Sequence, residues 1–118
     1  MVEDCNKLIA EFMGGKYNKD LSFPIKQNEM WLPKEGICRI DRLFYHKSWN
    51  WLMPVIEKIL IKHQSNYTLE LEEPNYINRG DNLWYCHFLH DCTCSFTGRG
   101  KTQLEAMYNS VVNFIKEQ

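Results

Sequence analysis

The sequence predicts an α+β fold: an antiparallel sheet of about three strands packed with helices, in the order α-β-β-β-α, with an extra short helix at the N-terminus. Three observations carry this. Residues 67 to 72, "YTLELE", alternate Tyr67, Leu69 and Leu71 with Thr68, Glu70 and Glu72, the period of a half-buried strand. "LWYCHFLH" and "CTCSFTG" are dense in aromatic and β-favouring residues, on either side of a tight turn near His90-Asp91. Leu104, Met107, Val111, Phe114 and Ile115 then recur at helical spacing behind Thr102 and Glu105, a capping-box pair.

The elements follow in order. Leu8, Ile9, Phe12 and Met13 fall on one side of a helix over 3 to 13, which Gly14-Gly15 ends. Residues 16 to 38 carry Pro24, Pro33 and Gly36 and read as irregular chain, with one short strand near Met30-Trp31-Leu32. Ser48 can cap the next helix, whose apolar face is Trp51, Leu52, Val55, Ile56, Ile59 and Leu60. Pro54 sits too deep for its first turn, so the helix either kinks there, the preferred reading, or starts nearer Met53. "PNYINRGDN" is a turn-rich connection between the first and second strands.

With 118 residues the chain makes one domain, 1–118. Its 14 basic and 15 acidic residues leave a net charge of −1, where a dedicated nucleic-acid binder would show a basic excess. No apolar run approaches the roughly 18 residues that span a bilayer. The five cysteines are an odd number in a chain without a signal peptide and read as reduced thiols of a cytoplasm.

Three stretches invite a chemical reading. The first is "SFTGRGKTQLEA". A phosphate loop needs Gly-x4-Gly-Lys-Ser/Thr, and Ser95 stands where the first glycine belongs, so no NTPase loop is present. Gly98 and Gly100 turn the chain out of a strand and Thr102 caps a helix. A small anion can still sit at that helix N-terminus, beside Arg99, Gly100, Lys101 and Thr102.

The second is "CHFLHDCTC", with Cys86, His87, His90, Cys92 and Cys94. Its spacings of one and three are not those of paired zinc ligands, and small buried residues in strands account for it better. Cys86 and His87 are neighbours, which sends them to opposite faces of a strand and argues against a catalytic pair. The expectation is no metal, no cofactor and no enzyme. The third is "CRIDRLFYHKSWNW", where Arg39, Arg42, His46 and Lys47 interleave with Phe44, Tyr45, Trp49 and Trp51. Guanidinium groups pair with phosphates and aromatic faces stack on bases. Arg39, Arg42, Tyr45, Lys47 and Trp49 are therefore candidate ligand-binding residues, although aromatics over a core and solvated cations give the same pattern.

"NKLIAEFMG", "YHKSWNWLMPVIEKI" and "GKTQLEAMYNSVVNFIK" resemble the recurring segments of short bacteriophage and prophage proteins, especially of Bacteroidetes hosts, similar to the phage ABA sandwich domain. That resemblance implies an α–β–α layered domain in the cytoplasm of a bacterial host and supplies no catalytic residues. It leaves 14 to 40 uncovered. The element order with Gly-x-Gly-Lys before the last helix is also similar to the double-stranded-RNA-binding domain. Lys101 matches that pattern, but Gln103, Leu104 and Met107 are not basic where the family has a lysine cluster.

The function these readings predict is a non-enzymatic phage accessory protein that binds a small anionic ligand. The phage resemblance makes sequestration of a nucleotide immune signal of the host, an anti-defence role, the specific expectation. A homo-oligomer with a site shared between protomers would suit so small a domain. The alternatives are an inhibitor of a host protein, with Trp31, Trp49 and Trp84 as exposed anchors, or a degenerate module like the RNA-binding one.

Overall fold

The computed structural model describes residues 2–62, 67–75, 77, 80–90 and 93–117. The first helix, α1, spans Val2–Phe12 with Glu3 and Asp4 in its first turn, where carboxylates complement the helix dipole. It ends as the glycine pair predicts. Gly14 takes a left-handed φ of 93°. Its N–H donates to the Glu11 carbonyl at 3.0 Å and that of Gly15 to Ala10 at 2.8 Å, a Schellman stop.

The stretch expected to be irregular contains a hairpin. Strands β1 (Glu29–Leu32) and β2 (Gly36–Arg39) pair antiparallel, with Leu32 opposite Gly36. The second strand was not expected, and the reason is its pattern: Ile37 points outward and is 52% exposed. What makes the turn is Gly36, whose φ of 80° suits the left-handed position that closes a short hairpin loop. Lys16 extends the hairpin by exchanging two 2.8 Å backbone bonds with Trp31. A 3-10 turn, Ile40–Arg42, follows.

The second helix, α2 (Trp49–Lys62), starts directly after Ser48, whose carbonyl accepts from the N–H groups of Trp51 and Leu52 at 3.1 and 3.0 Å. Pro54 lies inside it, so the start near Met53 is excluded. Leu52, Val55, Ile56 and Ile59 are buried.

Strands β3 (Tyr67–Glu72), β4 (Trp84–His90) and β5 (Thr93–Gly100) form the antiparallel sheet in that spatial order. The expected turn at His90-Asp91 lies outside the described residues beyond His90. Helix α3 (Gln103–Lys116) runs back along β5, and the Thr102 hydroxyl accepts from the Glu105 N–H at 3.1 Å, the predicted cap.

A continuous cluster of buried side chains joins these parts from Ile9 through Leu52 and Phe88 to Ile115. Its aromatic centre is Phe114, whose ring meets Phe12, Tyr67, Phe88 and Phe96 at centroid distances of 6.3, 5.5, 5.8 and 5.2 Å. Burying a phenylalanine of this kind stabilises the fold by about 1.5–3 kcal/mol. One face of the sheet is therefore committed to α3. The alternate residues, Glu70 and Glu72 on β3, Tyr85 and His87 on β4, and Thr97 and Arg99 on β5, share the opposite face.

Candidate functional site

The "GRGKT" stretch is resolved by how closely α3 lies on β5. A Cβ on Gly98 would come within 2.5 Å of the Ala106 carbonyl oxygen and 2.6 Å of the Asn109 carbonyl carbon. A Cβ on Gly100 would meet the Glu105 side chain at 2.6 Å and the Ala106 nitrogen at 2.9 Å. Both glycines are present because a helix backbone passes over them. Gly100 is buried under that helix.

The close approach brings α3 side chains to the outer edge of β5. Asn109 Nδ2 donates to the Arg99 carbonyl and Asn113 Nδ2 to the Thr97 carbonyl, both at 2.7 Å. Four residues of helix advance about 6 Å and two residues of strand about 6.7 Å. That match lets an i,i+4 pair of amides satisfy alternate carbonyls of an edge strand.

Beside this seam lies an open groove of about 600 Å³. Arg99 and Thr97 line it from β5, Asn109, Asn113 and Lys116 from α3, Tyr85 from β4, and Cys5 from α1. No carboxylate is among its lining residues. Tyr85 is fixed by donating its hydroxyl to Asp81 at 2.8 Å, and Thr97 Oγ1 lies 3.0 Å from His87 Nδ1. Among the described residues neither Arg99 nor Lys116 forms an ion pair. On the same sheet face, β3 carries Glu70 and Glu72, the latter 3.8 Å from His87 Nε2. This acidic flank opposes the approach of a long polyanion along the sheet face.

The other predicted residues are elsewhere. Lys101 and Thr102 are exposed at the start of α3 and do not line the groove. Arg39 pairs with Asp41 at 2.6 Å. The Lys47 ammonium sits over the Phe44 ring at 4.8 Å. Arg42 is exposed on the 3-10 turn, and Trp49 is 39% exposed at the start of α2. Tyr45 is in the core, 4% exposed, and burial pushes its hydroxyl well above the usual phenol range. It lines a separate pocket with Trp51. The two basic segments thus do not form one site, because α1 lies between them. Its Asn6 donates to the Leu43 carbonyl at 2.8 Å on one side and accepts from the Tyr108 hydroxyl at 2.9 Å on the other.

Cys5, Asn109, Asn113 and Lys116 escaped the sequence reading. The signal for two of them was there: Asn109 and Asn113 are amides four apart on a helix otherwise read for its apolar face.

The cysteine and histidine stretch divides as strand alternation requires. Cys86 is fully buried, and burial pushes its thiol up to about 11 although a hydrogen bond from Ser110 opposes the shift, so it stays protonated and unreactive. His87 faces the other way, toward Thr97. Cys92 and the side chain of Cys94 lie outside the described residues. Among those described, no group of three metal-ligating side chains comes together, and no helix is long and apolar enough to cross a membrane.

No family model, curated protein or solved structure matches the chain.

Proposed function

We propose that this chain is a non-enzymatic binding module that takes a small anionic ligand in the groove between β5 and α3. The observation that carries the proposal is the pair of cations, Arg99 and Lys116, which line one groove with no carboxylate among its lining residues and form no ion pair among the described residues. Asn109 and Asn113 spend an N–H on the strand edge, which leaves their amide oxygens to accept from hydroxyl or amino groups of the same ligand. The resemblance to short phage proteins supplies the ligand class: a nucleotide signal of the bacterial host, sequestered in the host cytoplasm. A groove this open binds more tightly if a second copy closes it, which favours a homo-oligomer.

The test is thermal unfolding against cyclic di- and trinucleotides, ADP-ribose derivatives and double-stranded RNA. A ligand at about a hundred times its Kd adds about 2.7 kcal/mol, which raises the midpoint by on the order of ten degrees in a domain of this size. A rise with one small-anion class, lost in Arg99→Ala, supports the reading. No rise with any of them removes it.

One observation favours a host protein as partner instead. Trp31 and Ile37 are directly opposed on the outward face of the hairpin, a pair of apolar side chains that a flat partner could cover. Trp84, by contrast, packs against the core.

A further inference from the structure

We infer that two copies of this chain join edge to edge through β2, antiparallel about a two-fold axis at Ile37, so that their hairpins form one continuous sheet. The hairpin's own hydrogen bonds show that this edge is open. In an antiparallel pair, successive residues alternate between turning their backbone groups toward the partner strand and away from it. Ile40 turns inward, its N–H donating to the Asn28 carbonyl at 2.8 Å. Trp31 turns outward and exchanges both of its bonds with Lys16 at 2.8 Å. Ile37 stands opposite Trp31 in the register, so its N–H and carbonyl point away from β1. Lys16 occupies the outer edge of β1, whereas among the described residues β2 pairs with β1 alone.

The occupant is given by the residues around Ile37. An antiparallel pair centred there sets Ile37 against Ile37 of the second copy, and the two exchange both backbone bonds. The same register sets Arg39 of each copy against Glu35 of the other. The stretch from Glu35 to Arg39 is therefore its own complement in charge, and both charged residues are exposed. Glu35 stands in the hairpin turn, so it meets Arg39 through its side chain and not through the ladder. Arg39 already holds Asp41 at 2.6 Å, but that pair is half exposed and a guanidinium has N–H donors for a second carboxylate.

The apolar residues fit the same axis. Ile37 is 52% exposed beside Trp31 on the outward face of the hairpin. Pairing at Ile37 makes one row across the joined sheet, Trp31 and Ile37 of one copy, then Ile37 and Trp31 of the other. A register centred on Cys38 would set Arg39 against Ile37 and break that row. A foreign strand could satisfy the backbone, but it would have to bring an acid and a base at this spacing, which the chain itself supplies. Neither Arg99 nor Lys116 takes part, so this contact is independent of the anion groove.

The experiment is sedimentation equilibrium of the full chain under reducing conditions. So short an edge makes a weak dimer, with a Kd expected on the order of 100 µM, so the range covered is about 10 µM to 1 mM. Arg39→Glu and Glu35→Arg each turn two attractive pairs into two repulsive ones, and each is expected to weaken the dimer about tenfold or more. An equimolar mixture of these two variants sets opposite charges against one another at both places and is expected to recover to within about threefold of the parent. Ile37→Lys places like charges together on the axis and is expected to leave a monomer. All three positions are exposed, and recovery in the mixture shows that the charge variants are folded. A parent chain that stays monomeric throughout, a dimer that survives Ile37→Lys, or a mixture that does not recover would each overturn the inference.

Discussion

The segment from Arg39 to Lys47 and the seam between β5 and α3 look alike as sequence and differ as structure. Each offers two or more cations among polar and aromatic neighbours. In the first, Asp41 takes Arg39 and the Phe44 ring takes Lys47. In the second, the helix meets the strand through backbone at two glycines, and the cations are left over a groove. A cation's availability is decided by what the fold sets beside it, and residue type in the sequence does not report that.

The largest effect should come from breaking the seam. Gly98→Ala drives a Cβ into the α3 backbone, which cannot give way as a side-chain tip would, and should destabilise the protein by about 3 kcal/mol in a urea titration. Gly36→Ala meets no atom within 4 Å and strains only the left-handed backbone, for about 1 kcal/mol. Similar losses for the two would show that the close approach is not rigid.

The next prediction concerns binding. For whichever small anion raises the unfolding midpoint, Arg99→Ala combined with Lys116→Ala should weaken binding about a hundredfold by calorimetry, two charge-assisted contacts being lost. Arg39→Ala combined with Lys47→Ala should change it less than about twofold. Equal losses would merge the two segments into one electrostatic field and end the distinction drawn here.

A third test separates the regions by pH. Burial, with Lys47 adding to it, holds the His46 imidazole below its usual pKa. Its Nδ1 lies 2.9 Å from Asn6 Nδ2, which as a donor requires a neutral ring with Nδ1 accepting. The unfolded chain therefore binds this proton more readily. The contribution is complete above about pH 6.5, where the unfolded imidazole titrates, and is lost as pH falls through the lower folded value. Unfolding free energy should drop between pH 7 and pH 5, and His46→Gln should flatten that slope. The smallest effect expected is that of Arg39→Ala on stability, under about 0.5 kcal/mol, because its ion pair with Asp41 is exposed.

The order of helix, three strands and helix could be read from the sequence because periodicity and a cap are local signals. Tyr67 meets Phe114 and Leu69 packs against the core, while Leu71, expected on the same half-buried face, is exposed toward the strand's end; Thr102 does cap α3. The β1–β2 hairpin could not be read by alternation, since Ile37 faces outward, although Pro33 and Gly36 bracket its turn. Of the residues expected at the site, Arg99 lines the groove beside β5 and α3. Gly100 and Tyr45 are both covered in the fold, Gly100 by the first turn of α3 and Tyr45 by the core. Cys5 and Lys116 reach the groove only through the packing of α1 and α3 around β5, which no local pattern announces.

The two asparagines of α3 have a consequence for the protein's behaviour in a crowded cell. An uncovered sheet margin invites other chains to add strands, the first step toward fibrils. Asn109 and Asn113 occupy the carbonyls of Arg99 and Thr97 at that margin, and on the far side β3 presents Glu70, Glu72 and the following Glu73 to repel an incoming strand. Resistance to strand addition at the two margins of this sheet is thus vested in two amides and three carboxylates.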